Sequence, residues 1–183
     1  MKLNLLFTIL ILAASLSLQA QFRFEIAYGG ANIDDGYSAI QTLDGGYIMA
    51  GSTQTYGAGG QDIYLVKADA SGNVVWTKTY GGTGDDLAKC IRQTPDSGYF
   101  VAGWTSSYGA GSTDLFYLKM DKNGALQWSR NIGGPSQDLA FSAELTSDGG
   151  YVIFGHTTSF GAGYADYYLV KTDSNGAVDV EMW

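Results

Sequence analysis

The sequence predicts an all-β fold, a β-propeller-like array of three four-stranded blades, and three observations carry that expectation. The chain of 183 residues aligns on itself at an offset of 52 without insertion. Short runs rich in aromatic and β-branched residues, four to each unit, alternate with clusters of glycine and aspartate. Outside the first twenty residues no segment shows the 3.6-residue period of an amphipathic helix.

The landmarks of the repeat are turns. Gly29-Gly30 recurs as Gly81-Gly82 and Gly133-Gly134. Asp44-Gly45-Gly46-Tyr47 recurs as Asp96-Ser97-Gly98-Tyr99 and Asp148-Gly149-Gly150-Tyr151. Gly57-Ala58-Gly59 returns as Gly109-Ala110-Gly111 and Gly161-Ala162-Gly163, and Asp69 with Gly72 as Asp121 with Gly124 and Asp173 with Gly176. Such clusters supply positive φ and side-chain hydrogen bonds to backbone, so each separates two strands. In the first unit the expected strands are residues 37–43, 47–53, 62–68 and 73–80.

The second and third runs are apolar on both faces, as in Tyr99-Phe100-Val101-Ala102 and Leu115-Phe116-Tyr117-Leu118, so both faces of each sheet must be covered. Four-stranded blades stacked around an axis meet that requirement. A three-repeat β-trefoil or β-prism is the alternative, because those folds close with three units. Their strands need one buried face rather than two, and Gln127 and Trp128 are adjacent, where trefoil lectins commonly have Gln-x-Trp.

The repeats run approximately 29–80, 81–132 and 133–183, with an extra N-terminal strand at 22–28 that aligns with 74–80. The pattern therefore opens on a fourth strand that lacks its first three. At the other end, residues 178–183 are a degraded copy without the aromatic of Trp76 and Trp128. Three blades fall short of the usual four to eight. Two expectations follow: self-association as a dimer that forms a six-bladed ring, exchanging strand 22–28, or further blades of a longer chain.

Residues 1–20 have the layout of a signal peptide: Lys2, an apolar run over 3–16 and the polar close Ser17-Leu18-Gln19-Ala20, with cleavage expected after Ala20. The run is shorter than the roughly 20 residues of a membrane span, so no membrane insertion is expected. The repeat domain, 21–183, is then secreted, extracellular or periplasmic. A formal charge of -8 and the lack of a basic stripe speak against nucleic acid as a partner. Cys90, the single cysteine, cannot form an internal disulfide, and it replaces Ser38 and Ser142, which reads as a small buried residue.

The string Tyr80-Gly81-Gly82-Thr83-Gly84-Asp85-Asp86, followed by Ser97-Gly98-Tyr99 and Tyr108-Gly109-Ala110-Gly111 with Asp114, carries a resemblance. It resembles the propeller-type repeats of about 50 residues in exported and cell-surface proteins of Bacteroidetes and methanogenic archaea. What the resemblance implies is an extracellular, non-enzymatic propeller. A weaker similarity, to the tryptophan-docking motif of quinoprotein propellers, has Asp69, Gly72 and Trp76 one residue too close together, so no quinone cofactor is implied.

No catalytic set emerges, and no metal site or cofactor is expected. His156 is the single histidine, which excludes a two-histidine metal site and a Ser-His-Asp triad of the usual form. Asp34, Asp86 and Asp138 recur in every unit, as a structural fastener does, whereas a paired-carboxylate glycosidase site would be expected once. Asp69 and Asp121 offer oxygens around a glycine turn, but without the closing acidic residue of a calcium loop.

The candidate ligand-binding residues are Tyr56 with Asp62, Tyr108 with Asp114, and Phe160 with Asp166, an aromatic face for sugar stacking beside a carboxylate for hydroxyls. One weak site per repeat would gain by avidity. That glycan-binding, lectin-like expectation stands second to a binding or scaffolding module for an envelope protein. The latter predicts that the variable positions Ser52, Trp104 and His156 lie exposed on one face.

Overall fold

In the computed structural model, residues 23–178 are described. They form eleven strands and no helix: β1 (Asp34–Gln41), β2 (Tyr47–Thr53), β3 (Asp62–Ala68), β4 (Val74–Tyr80), β5 (Asp86–Gln93), β6 (Tyr99–Thr105), β7 (Asp114–Met120), β8 (Leu126–Ile132), β9 (Asp138–Leu145), β10 (Tyr151–Thr157) and β11 (Asp166–Thr172). The all-β expectation stands. Each repeat folds into its own antiparallel meander, giving sheets ordered β1-β2-β3-β4, β5-β6-β7-β8 and β9-β10-β11. A fourth strand for the third sheet, expected over 178–183, falls beyond Val178 and so outside the described residues, as does the expected signal segment.

Local chemistry sets the strand ends. β1 starts at Asp34 and ends at Gln41 because Thr42 already belongs to the turn: its amide donates to Gly46 O at 2.9 Å and its hydroxyl to Asp44 Oδ1 at 2.5 Å. The Gly46 amide donates to the same Asp44 oxygen at 3.0 Å. Gly45 and Gly149 take φ of 81° and 83° in this turn, and at the equivalent place Ser97 is the only non-glycine with positive φ among the described residues, 65°.

The three sheets stack face to face. Ile48, Ala50, Ile63 and Leu65 of the first pack against Tyr99, Val101, Phe116 and Leu118 of the second. One repeat later, Phe100, Ala102, Leu115 and Tyr117 pack against Tyr151, Ile153 and Val170 of the third. Phe100 and Tyr151 stack with centroids 3.9 Å apart at 6°. Full burial of a side chain such as Phe100 contributes about 1.5–3 kcal/mol. This is why the middle sheet had to be apolar on both faces.

The first strands of successive sheets, β1, β5 and β9, lie against one another, whereas the outer strands β4 and β8 make no comparable contact, so the sheets fan out from a line through their first strands. Cys90 lies in the second interface, 4% exposed, and burial pushes its thiol up to about 11. Ser52, expected to be exposed, is instead buried, with its hydroxyl donating to Gln61 Oε1 at 2.8 Å.

Candidate functional site

The loops joining the second and third strands of each sheet, residues 54–61, 106–113 and 158–165, hold the three candidate aromatics, Tyr56, Tyr108 and Phe160. The three candidate carboxylates, Asp62, Asp114 and Asp166, are the first residues of the strands that follow. Each loop is folded by a threonine at the end of the preceding strand. Thr105 Oγ1 accepts the amides of Ser107 at 3.0 Å and Tyr108 at 3.2 Å, and Thr53 and Thr157 do the same for their own loops.

That threonine is tied to the recurring aspartate. Asp86 Oδ1 accepts the Thr105 hydroxyl, while Asp86 Oδ2 accepts Ser107 Oγ at 2.5 Å and the Gly82 amide at 2.8 Å. In the third sheet Asp138 accepts from Thr157, from Ser159 at 2.6 Å and from Gly134 at 2.8 Å. Asp34 accepts from Gly30 at 2.6 Å and Thr55 at 3.3 Å. The carboxylate thus clamps the glycine pair before its strand to the loop after the next strand, with both oxygens engaged in Asp86 and Asp138 and only Oδ2 in Asp34, whose buried Oδ1 has no hydrogen-bond partner.

The second set of aspartates lies beneath the loops. Asp62 is 2% exposed and Asp114 1%, and Asp62 Oδ2 accepts the Ala58 amide at 2.9 Å while Asp114 Oδ2 accepts that of Gly111 at 3.2 Å. Burial raises the pKa of Asp62, opposed by the Ala58 hydrogen bond and reinforced by the nearby Asp86 charge. The Gly-Gly pair of the following sheet closes over them. Asp114 Oδ1 and Asp138 Oδ2 lie 1.8 and 2.7 Å from where a Cβ on Gly133 would sit, so no side chain fits there. Asp166, with no following sheet among the described residues, keeps partial exposure.

The aromatics point the other way. Tyr56, Tyr108 and Phe160 are 45%, 46% and 49% exposed, each leaning on the aromatic two residues into the next strand: Tyr64 at 5.5 Å, Phe116 at 5.8 Å and Tyr168 at 5.8 Å between centroids. The Tyr108 hydroxyl donates to Gly81 O at 2.8 Å and that of Tyr56 to Gly29 O at 3.4 Å. Ring and carboxylate of one loop therefore do not share an open surface in the first two repeats, and only Phe160 with Asp166 comes near to doing so.

Neighbouring loops are joined. Gln61 N donates to Asp85 Oδ1 at 2.8 Å, Asp86 N to Gln61 O at 2.7 Å and Asp138 N to Thr113 O at 2.9 Å, so the three loops make one continuous rim bearing three half-exposed rings. His156 lies apart, edge-on to Phe141 at 5.3 Å. In the outer turns Asp69 spends its carboxylate internally, Oδ1 on the amides of Ser71 and Asn73 and Oδ2 on the Asn73 side chain.

Sequence reasoning named no groove, yet one of about 410 Å³ lies on the outer face of the first sheet, lined by Tyr28, Tyr37, Met49, Tyr64 and Val66 among others. The repeat alignment carried the signal: Tyr64 and Val66 are the counterparts of the buried Phe116 and Leu118.

No family model matches the chain. Over 137 residues it is 26% identical to the regulatory protein FlaEY of Caulobacter vibrioides. The match covers 68% of this chain and 14% of that protein, so the chain spans a small part of the relative's length.

Proposed function

We propose that this chain is a secreted, non-enzymatic module of β-propeller blades that binds or scaffolds a partner at the cell envelope or outside the cell, and that the loop rim is its binding surface. The rim carries the reading: three rings, Tyr56, Tyr108 and Phe160, are held half-exposed at equivalent places on a hydrogen-bonded frame. Rigid aromatics of this kind supply contact area at little conformational cost. The recurring carboxylates that could do acid–base work are engaged in clamping loops, which supports a binding role over a catalytic one. Stacked meanders with one unit per repeat and fanned outer strands support blades over a trefoil. A partner-binding module is also compatible with the regulatory role named for the Caulobacter protein.

The partial exposure of Asp166 beside Phe160 favours a second reading, glycan binding with its best site in the third repeat. A glycan array probed with the wild type and with a Tyr56→Ala, Tyr108→Ala, Phe160→Ala variant separates the two. Glycan binding lost in the variant supports the lectin reading. Glycan binding that persists in a folded variant removes the rim from either account.

A further inference from the structure

The two outer faces of the stack are the same two surfaces that already pack together twice inside it. In both internal interfaces the face bearing Ile48 and Leu65, or Phe100 and Tyr117, meets the face bearing Val101 and Leu118, or Ile153 and Val170. Carried one repeat onward, the first surface becomes Phe154, Tyr167 and Leu169 on the third sheet, which are 39%, 88% and 68% exposed. Carried one repeat back, the second becomes Met49, Tyr64 and Val66, beside the groove of about 410 Å³. The third-sheet face is exposed, whereas on the first sheet Met49 and Tyr64 are partly exposed and Val66 is buried at 4%, so that face is a groove rather than an open patch. An exposed apolar face such as that of the third sheet marks an interaction site.

The N-terminal segment shows what the groove is shaped for. Tyr28 donates its hydroxyl to Gly72 O at 2.7 Å, as Tyr80 donates to Gly124 O, and Phe24 meets Tyr47 edge-on at 5.6 Å, as Trp76 meets Tyr99 at 6.1 Å. Residues 23–28 therefore lie on the first sheet where a fourth strand lies on the sheet that follows it, with no ladder of their own. At the other end, β11 pairs with β10, and its other edge has no ladder partner among the described residues.

We propose that the face of Phe154, Tyr167 and Leu169 seats on the face of Met49, Tyr64 and Val66 of a second copy of this chain, head to tail. Residues 23–28 of that copy then lie beside β11, at the place that β4 and β8 take beside β3 and β7. The inference rests on continuity with the two internal interfaces and not on what the rim binds. A head-to-tail contact closes into a ring if the rotation allows and otherwise extends as an open array.

The test is solution mass by light scattering across a range of concentrations, using the full chain expressed from its own first residue. The wild type is expected at two chains or more. Leu169→Glu and Met49→Glu each destroy a different face and are expected to weaken association more than tenfold, and an equimolar mixture of the two is expected to recover a dimer, because each retains one intact face. Tyr37→Glu, at a 43% exposed residue lining the same groove, replaces Met49→Glu if the latter does not fold. A wild type that stays monomeric overturns the proposal and assigns the faces to another occupant, such as the terminal residues of the chain itself or further blades. Association of Met49→Glu and Tyr37→Glu at wild-type strength, or variants that fail to complement, overturns it in favour of like faces pairing.

Discussion

Asp138, the first residue of β9, accepts a hydrogen bond from the hydroxyl of Thr157, the last residue of β10, with the two 0% and 2% exposed. Because Thr157 also accepts the amides of Ser159 and Phe160, this one contact transmits the strand register to the loop that carries the exposed ring. Asp138→Ala leaves the Thr157 and Ser159 hydroxyls and the Gly134 amide without their acceptor, and charge-assisted bonds contribute about 1.5–3 kcal/mol each. The expected loss is on the order of 3 kcal/mol or more in urea denaturation, with Thr157→Val costing less. A loss below about 1 kcal/mol for Asp138→Ala would show the clamp to be incidental.

Ser97 occupies a left-handed conformation, φ 65°, where the other two repeats have glycine. A side chain in that region costs roughly 1–2 kcal/mol, partly offset in glycine by its freer unfolded state. Ser97→Gly is therefore expected to stabilise the protein by about 0.5–1 kcal/mol, read as a higher urea midpoint at unchanged slope. Gly45→Ser, the reverse change in the first repeat, is expected to destabilise by a similar amount.

The same turns set an acid limit. The Thr42 hydroxyl, against the opposing effect of burial, and the Lys67 ammonium hold Asp44 down to about 2. At Asp96 burial pushes upward but is outweighed by Thr94, Lys119 and the Gly98 amide, again giving about 2. Lys171 and Thr146 lower Asp148 as well. Since these folded values lie below the ordinary carboxylate near 3.9, their contribution is full above about pH 4 and lost as pH falls through about 2. Asp62 acts in the opposite sense, because protonation relieves the cost of burying its charge. Melting temperature is expected to drop between about pH 4 and 2, and an Asp44→Asn, Asp96→Asn, Asp148→Asn variant to show a shallower drop from a lower plateau. Parallel curves for the two proteins would contradict the assignment.

Cys90 should be inert while the fold holds. With its thiol pushed up to about 11 by burial, its thiolate fraction at pH 8 is roughly a hundredfold or more below that of a free cysteine. Iodoacetamide is expected to label it slowly in buffer and rapidly in urea. Rapid labelling in buffer would mean that the interface between the second and third sheets opens readily.

How far the sequence was legible differs by element. β2 and β3 fall on the expected residues because they are apolar on both faces and bounded by turn chemistry that allows no other reading. β1 was displaced, because Asp34-Asp35 has turn composition while the Asp34 side chain reaches back to Gly30 and frees the backbone for pairing with Thr53. The spacing of Tyr56 and Asp62 put the ring in the loop and the carboxylate at the start of the next strand, where both are found. It could not reveal that the loop folds over the carboxylate and that the next sheet's Gly81 closes against it, since that contact joins residues of different repeats. Ser52 was misjudged as exposed because its partner, Gln61, lies across the hairpin.

The central claim is that the chain's working surface is the aromatic rim, presented on a frame whose carboxylates are structural. Titrating labelled protein onto an envelope fraction of the producing cells tests it most directly, with the Tyr56→Ala, Tyr108→Ala, Phe160→Ala variant in parallel and both proteins confirmed folded by their melting curves. The account predicts saturable binding by the wild type, weakened at least tenfold in the variant. Equal binding by both, or none by the wild type, would contradict it.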